Sequence, residues 1–101
     1  MLEKNIGAAL QRICEKFFID CAAALEDLSE WIDAGKLEDA RKLAHQMKGA
    51  SVSLGLPRLE SHFRTLEFAA AEGSPIPKDW YAAAVIALEE AKTGIDQRNQ
   101  G

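Results

Sequence analysis

Apolar residues recur at intervals of three and four along nearly the whole chain, the period of an α-helix with one buried face. From Glu3 to Ala34 the stripe runs through Ile6, Leu10, Ile13, Phe17, Cys21, Ala24, Leu28 and Trp31. That is long for one helix of a globular domain. A break or bend is therefore expected near residues 17–20, which would leave a short extra helix at the N-terminus. Gly35 is a stop signal. A second helix is predicted from Leu37 to Leu54, with Leu37, Ala40, Leu43, Ala44, Met47, Ser51 and Leu54 facing inward. Glu38 and Asp39 fall in its first turn, where the helix dipole favours acids. Gly55 ends it, and Pro57 suits the first turn of a third helix reaching Glu72. Leu59, Phe63, Leu66 and Ala70 form the stripe of that helix. Gly73 stops it, and Ser74-Pro75-Ile76-Pro77 reads as a short rigid loop. A fourth helix is predicted from Pro77 or Lys78 to Ile95, with Trp80, Ala84, Ala87, Leu88 and Ala91 inward. Residues 96–101 are polar and expected to fray. No stretch alternates apolar and polar residues as a strand would. Amphipathic helices joined by short loops make an all-α, antiparallel up-down four-helix bundle the expected fold.

Composition narrows the function. The 101 residues suit one domain spanning 1–101, with an ordered core over residues 5–95. Hydrophobic residues make up 48% and charged residues 28%, which argues against disorder. The net charge of −4 opposes nucleic-acid binding. No apolar run approaches the roughly 20 residues of a membrane span. The opening Met1-Leu2-Glu3-Lys4-Asn5 lacks a basic start followed by an apolar stretch, so no export signal is expected. Cys14 and Cys21 lie about 10 Å apart along one helix axis, too far to pair within it. They read as small buried apolar residues, and the cytoplasm as the expected compartment.

One histidine sits on the wrong side of its helix for a core role. With Ala40, Ala44, Met47 and Ser51 inward, His45 lies more than about 90° away, beside Arg41, Lys48, Gly49 and Val52. Lys48, at i+3, can bring its ammonium beside the imidazole. Gly49, at i+4, costs a helix roughly 1 kcal/mol relative to alanine. A bare helix patch would let another surface come close to the ring. An exposed imidazole of ordinary pKa is largely neutral at pH 7 and offers a lone pair, and an adjacent cation would offset incoming negative charge. These features suit transfer of an anionic group. A surface histidine beside lysine and glycine also arises without function, and spacing alone leaves both readings open.

The run Ala44-His45-Gln46-Met47-Lys48-Gly49-Ala50-Ser51-Val52-Ser53-Leu54-Gly55-Leu56 resembles the H-x-[hydrophobic]-K-G-[small]-[small]-x-x-[hydrophobic]-G signature of histidine-containing phosphotransfer (HPt) domains. The approach from Leu28 to Ala44 and the segment from Leu59 to Glu67 resemble the family's flanking helices. The likeness extends from Phe17 to Gly73, and beyond that only in helical pattern. It implies a four-helix bundle that relays phosphoryl groups between receiver-domain aspartates. By position, His45 matches the phosphoacceptor and Lys48 the lysine beside the phosphorylated ring. Gly49 matches the glycine that admits a docking receiver, and Gly55 the small residue ending the active helix. Glu67 falls where some members carry a polar side chain facing the histidine, and a plain surface glutamate is the alternative. Val52, Arg41 and Phe18 are the further docking candidates. Phe17 and Phe18 are adjacent and not both expected to face one core.

The implied partners are response-regulator receivers and a hybrid sensor kinase, met by a monomer. No cofactor of its own is expected, and Mg²⁺ is expected in the partner receiver. No Gly-rich loop or acidic metal cluster is present to bind ATP, so a phosphoryl carrier is expected rather than an autokinase. Two alternatives come from other classes: a docking or inhibitory module that is never phosphorylated, and a small metal or ligand carrier. The second would need several inward carboxylates or histidines, which the stripes lack. His62, Trp31 and Trp80 read as core or boundary residues.

Overall fold

The structure, a computed structural model, describes the backbone of residues 2–100 and the side chains of residues 8–94. Four helices follow one another: α1 (Leu2–Asp33), α2 (Leu37–Ser53), α3 (Pro57–Glu72) and α4 (Trp80–Gln100). Among the described residues there is no strand. Helices α1 and α3 each pack against both α2 and α4, while the diagonal pairs stay apart. This is the neighbour pattern of an up-down four-helix bundle.

The expected break in α1 is not there. From Ala8 to Ala34 the sequence holds no glycine or proline, so nothing forces a kink or a separate N-terminal helix. Its 32 residues reach about 48 Å at the helical rise, which accounts for a longest dimension of 51 Å. The other helices are shorter, so the core lies against only part of α1. The buried stripe is Cys14, Phe17, Phe18, Cys21, Ala24, Leu25 and Leu28. Leu10 and Ile13, expected inside, are exposed. The side chain of Ile6 lies outside the described residues. Trp31 is half-buried against the core edge.

Phe17 and Phe18 both reach the core, their rings edge to face at 5.8 Å between centroids. Two neighbours on a helix diverge by about 100°. Both are buried because α1 is flanked by α2 on one side and α4 on the other. The centre of the bundle is completed by Ala40, Ala44, Met47, Leu59, Phe63, Leu66, Trp80, Ala84, Ala87 and Leu88. On α3 it is Ala69 that is buried, and Ala70, expected inside, is only half-buried. Among the described residues Ser51 is the buried polar one, and its hydroxyl donates to the Met47 carbonyl at 2.8 Å.

Helix α2, which carries His45, is bounded by two glycine turns of one kind. At the end of α1, Lys36 N–H donates to the Trp31 carbonyl and Gly35 N–H to Ile32. At the end of α2, Leu56 N–H donates to Ser51 and Gly55 N–H to Val52. These paired bonds define Schellman turns, which need a left-handed residue. Gly35 and Gly55 supply it at φ of 76° and 69°. Pro57 then opens α3 with its preset φ.

Helix α4 begins later than expected, at Trp80 rather than Pro77 or Lys78. Trp80 N–H closes a turn onto the Pro77 carbonyl, and helical bonding starts with Ala83 N–H to Asp79. The indole of Trp80 donates to the His62 carbonyl at 2.7 Å and packs edge to face on Phe63. That contact fixes where the helix starts. At its other end α4 stays helical to Gln100, through residues expected to fray.

Candidate functional site

On α2, Ala40, Ala44, Met47 and Ser51 are buried, which turns the opposite face outward. His45 lies on that face with two-thirds of its side chain exposed (66%). Lys48 stands one turn later and is partly covered (27%). Helix α3 runs alongside and presents Glu67 at the seam, a side chain only 17% exposed. Its carboxylate bridges the two residues of α2. One oxygen lies 2.5 Å from His45 Nδ1, and the other accepts from Lys48 Nζ at 2.6 Å.

The chemistry of this bridge follows from the donors present. The Lys48 ammonium beside Glu67 holds its carboxyl below the usual carboxylate range, against the opposing pull of partial burial, and His45 adds to the lowering. An ionised carboxylate can only accept hydrogen bonds, so the short contact makes Nδ1 the donor. In a neutral ring the proton then sits on Nδ1 and the free lone pair on Nε2. The arrangement produces an exposed imidazole with one nitrogen tied to the protein and the other free to act as a nucleophile.

The remaining sequence candidates fall into three groups. Val52 and Gly49 lie exposed on the same helix face as His45. A methyl group added at Gly49 would meet nothing within 4 Å, so internal packing does not require the glycine. Arg41, one turn before His45, is held by Glu38 through two bonds of 2.9 and 2.6 Å. Glu38 is thus more than a dipole-favoured acid, and its i,i+3 spacing to Arg41 is the sequence signal for this pair. Gly55 forms the turn described above. Phe18, expected to contribute to docking, is instead buried at 8% exposure and offers no free ring to a partner.

Elsewhere, His62 is half-buried at the edge of α3, and Trp80 is a core residue. Cys14 and Cys21 are buried free thiols. Among the described residues, no group of three or more His, Cys, Asp or Glu could hold a metal ion. No helix among them is long and apolar enough to cross a membrane.

A displayed histidine on the second helix of an up-down bundle, with a lysine one turn on and an open glycine beside it, is the arrangement that the resemblance to phosphotransfer domains implies. The family model of the Hpt domain matches residues 12–98, and the chain belongs to the Hpt domain family, whose members carry phosphoryl groups on histidine in phosphorelays. No curated protein and no solved structure matches the chain.

Proposed function

We propose that this chain is a phosphorelay intermediate in two-component signalling. His45 accepts a phosphoryl group from a receiver-domain aspartyl phosphate and passes it to the aspartate of another receiver. The observation that carries this reading is the split environment of the His45 ring, with Nδ1 bound to Glu67 and the rest of the imidazole in solvent. The lone pair of Nε2 attacks phosphorus in line. The Nε2–P bond forms as the bond from phosphorus to the aspartyl oxygen breaks, and the electron pair leaves on that carboxylate. The receiver supplies the acyl phosphate and its Mg²⁺. Lys48 places a positive charge beside the ring, which favours the arrival of an anionic group. Gly49 and Val52 provide a low, partly apolar platform for the receiver, and Arg41 a cation at its edge. Such a carrier has no need to bind ATP, and it serves as a cytoplasmic link between a hybrid kinase and its regulators.

The test uses phosphorylated receivers from the same organism and follows labelled phosphate onto the wild type and onto His45→Gln. Acid-labile label on the wild type, absent from the variant, is the expected result. Binding of a receiver with no label transferred would overturn the carrier reading and leave a docking module.

A further inference from the structure

Helix α1 carries its apolar face beyond the core. Seven residues before Phe17 and eleven before Cys21, Leu10 points within about 20° of both on a helical wheel, and Ile13 within about 40° of Phe17. Both therefore continue the buried stripe of α1. Yet Leu10 is 52% exposed and Ile13 56%, because the core lies against only the later part of the helix. Between residues 8 and 14 the one charged side chain is Arg12. The result is a nearly uncharged apolar ridge with nothing over it.

A recess lies at the same end of the molecule. The turn between α2 and α3 and the later half of α4 enclose a furrow of about 270 Å³, lined by Leu56, Pro57, Leu59, Ala87, Ala91 and Gly94. It is open because α4 turns only alanine and glycine toward the start of α3. A methyl group added at Gly94 would meet nothing within 4 Å. Arg58 and Glu90 flank the furrow and pair with each other, so their charges cancel. The direction of α4 places this furrow relative to the ridge. Ser29 and Ile32, late in α1, lie beside Trp80 and Tyr81 at the start of α4. The two helices are antiparallel, so Gly94 falls toward the N-terminal end of α1.

We propose that two copies of this chain pair about a two-fold axis, with the Leu10–Ile13 ridge of each seated in the α3–α4 furrow of the other. Every copy owns one ridge and one furrow, so two copies fill both and the assembly closes at two. The two features share one end of the bundle, which lets a single axis bring both into contact. Their lengths agree: the furrow runs about 10 Å along α4 from Ala87 to Gly94, and Leu10 to Ile13 spans about 5 Å. Charge favours the same place. Each chain carries −4, so two copies repel over most of their surface, and the ridge and furrow are where that repulsion is least. Spacing along the chain assigns Leu10 and Ile13 to an interior and the chain to a monomer. In the dimer both side chains are interior, and the cover comes from the second copy. Helix α2 does not pack against α4, so a partner on the α3–α4 seam leaves the His45 face of each copy open.

A contact this short belongs at the low end of specific interfaces, so the dimer is expected to form with a dissociation constant of roughly 50 µM. Sedimentation velocity of the full chain between about 5 µM and 500 µM spans that value and is expected to move from one chain mass to two. Two variants address the two halves of the contact, and circular dichroism checks the fold of each. Leu10→Glu with Ile13→Glu charges the ridge at positions already in water. Gly94→Leu fills the furrow and improves helix propensity, so its helices are kept. Each is expected to weaken association at least about tenfold, since each removes both copies of the contact. A third experiment reads the pairing itself. Ile13→Cys chains and Gly94→Cys chains, mixed under mild oxidation, are expected to give a disulfide between positions 13 and 94, identified by mass spectrometry of the linked peptides. A single chain mass throughout the concentration range would overturn the proposal and leave the ridge to a different protein. A dimer that Gly94→Leu does not weaken, or one that links position 13 only to position 13, would overturn it in favour of two ridges packed on each other.

Discussion

A glycine in the middle of an α-helix gives up backbone entropy, and Gly49 gains no packing in return, because a methyl there would touch nothing. Stability and function therefore pull in opposite directions at this position. Gly49→Ala is expected to raise stability by about 0.5–1 kcal/mol, seen as a higher midpoint in chemical denaturation. The same variant is expected to slow transfer from a receiver, since the added methyl stands one turn from His45 on the docking face. A Gly49→Ala chain that is both more stable and equally fast would remove the clearance argument. At this scale the sequence is informative where chemistry depends on spacing along one helix. His45, Lys48 and Gly49 are three and four residues apart, and a helical wheel places them together. Glu67 is 22 residues from His45. Whether it meets the ring depends on how α3 is rotated against α2, which no spacing along the chain encodes. The joint burial of Phe17 and Phe18 is hidden for a related reason: a helix flanked by two others has a wider buried arc than one facing a single neighbour.

Among the elements, α2 is the most legible, because punctuation at both ends is glycine in turns that require positive φ. Its expected and observed limits differ by one residue. For the long α1, length alone suggests a bend, although the absence of glycine and proline from Ala8 to Ala34 is the better guide. The start of α4 is displaced because Pro77 suits a first helical turn in general, whereas here the register is set by a tertiary contact. The indole of Trp80 reaches across to the His62 carbonyl, so the helix begins where that bond can form. Replacing Trp80 with phenylalanine keeps an aromatic ring against Phe63 but removes the donor. The expected cost is about 1 kcal/mol, the usual net value of one hydrogen bond with an uncharged acceptor. Thermal melts of the two proteins measure it, with His45 phosphorylation as the internal control. Since the His62 carbonyl lies toward α4 and the reactive face is on α2, the transfer rate should hold while stability falls. A loss of transfer without a loss of stability would show that α4 communicates with the site.

At the scale of the whole molecule, the bundle is legible because every helix carries an apolar stripe and every connection is short. What the pattern does not reveal is that α1 outruns its partners, leaving Leu10 and Ile13 exposed although they fall on the right period. The core begins at Cys14, and the two cysteines sample it at two depths. Cys21 is fully enclosed, and burial pushes its thiol up to about 12. The thiolate is the reactive form, and a group both enclosed and held neutral has neither the access nor the charge to attack a disulfide reagent. Labelling of Cys21 at pH 8 is therefore expected only through opening of the bundle. In a series of denaturant concentrations, its modification should follow the loss of helical circular dichroism with one midpoint, as a cooperative domain of this size requires. Cys14 lies nearer the end of the packed region, where α1 leaves the core, and should react through smaller openings at lower denaturant. Mass spectrometry of the labelled chain separates the two sites. Modification of Cys21 well before the helical signal falls would mean that α1 detaches from α2 and α4 as a unit. That would separate the histidine-bearing pair α2–α3 from the rest of the fold as the more stable half, consistent with Glu67 and Lys48 tying those two helices together across the site.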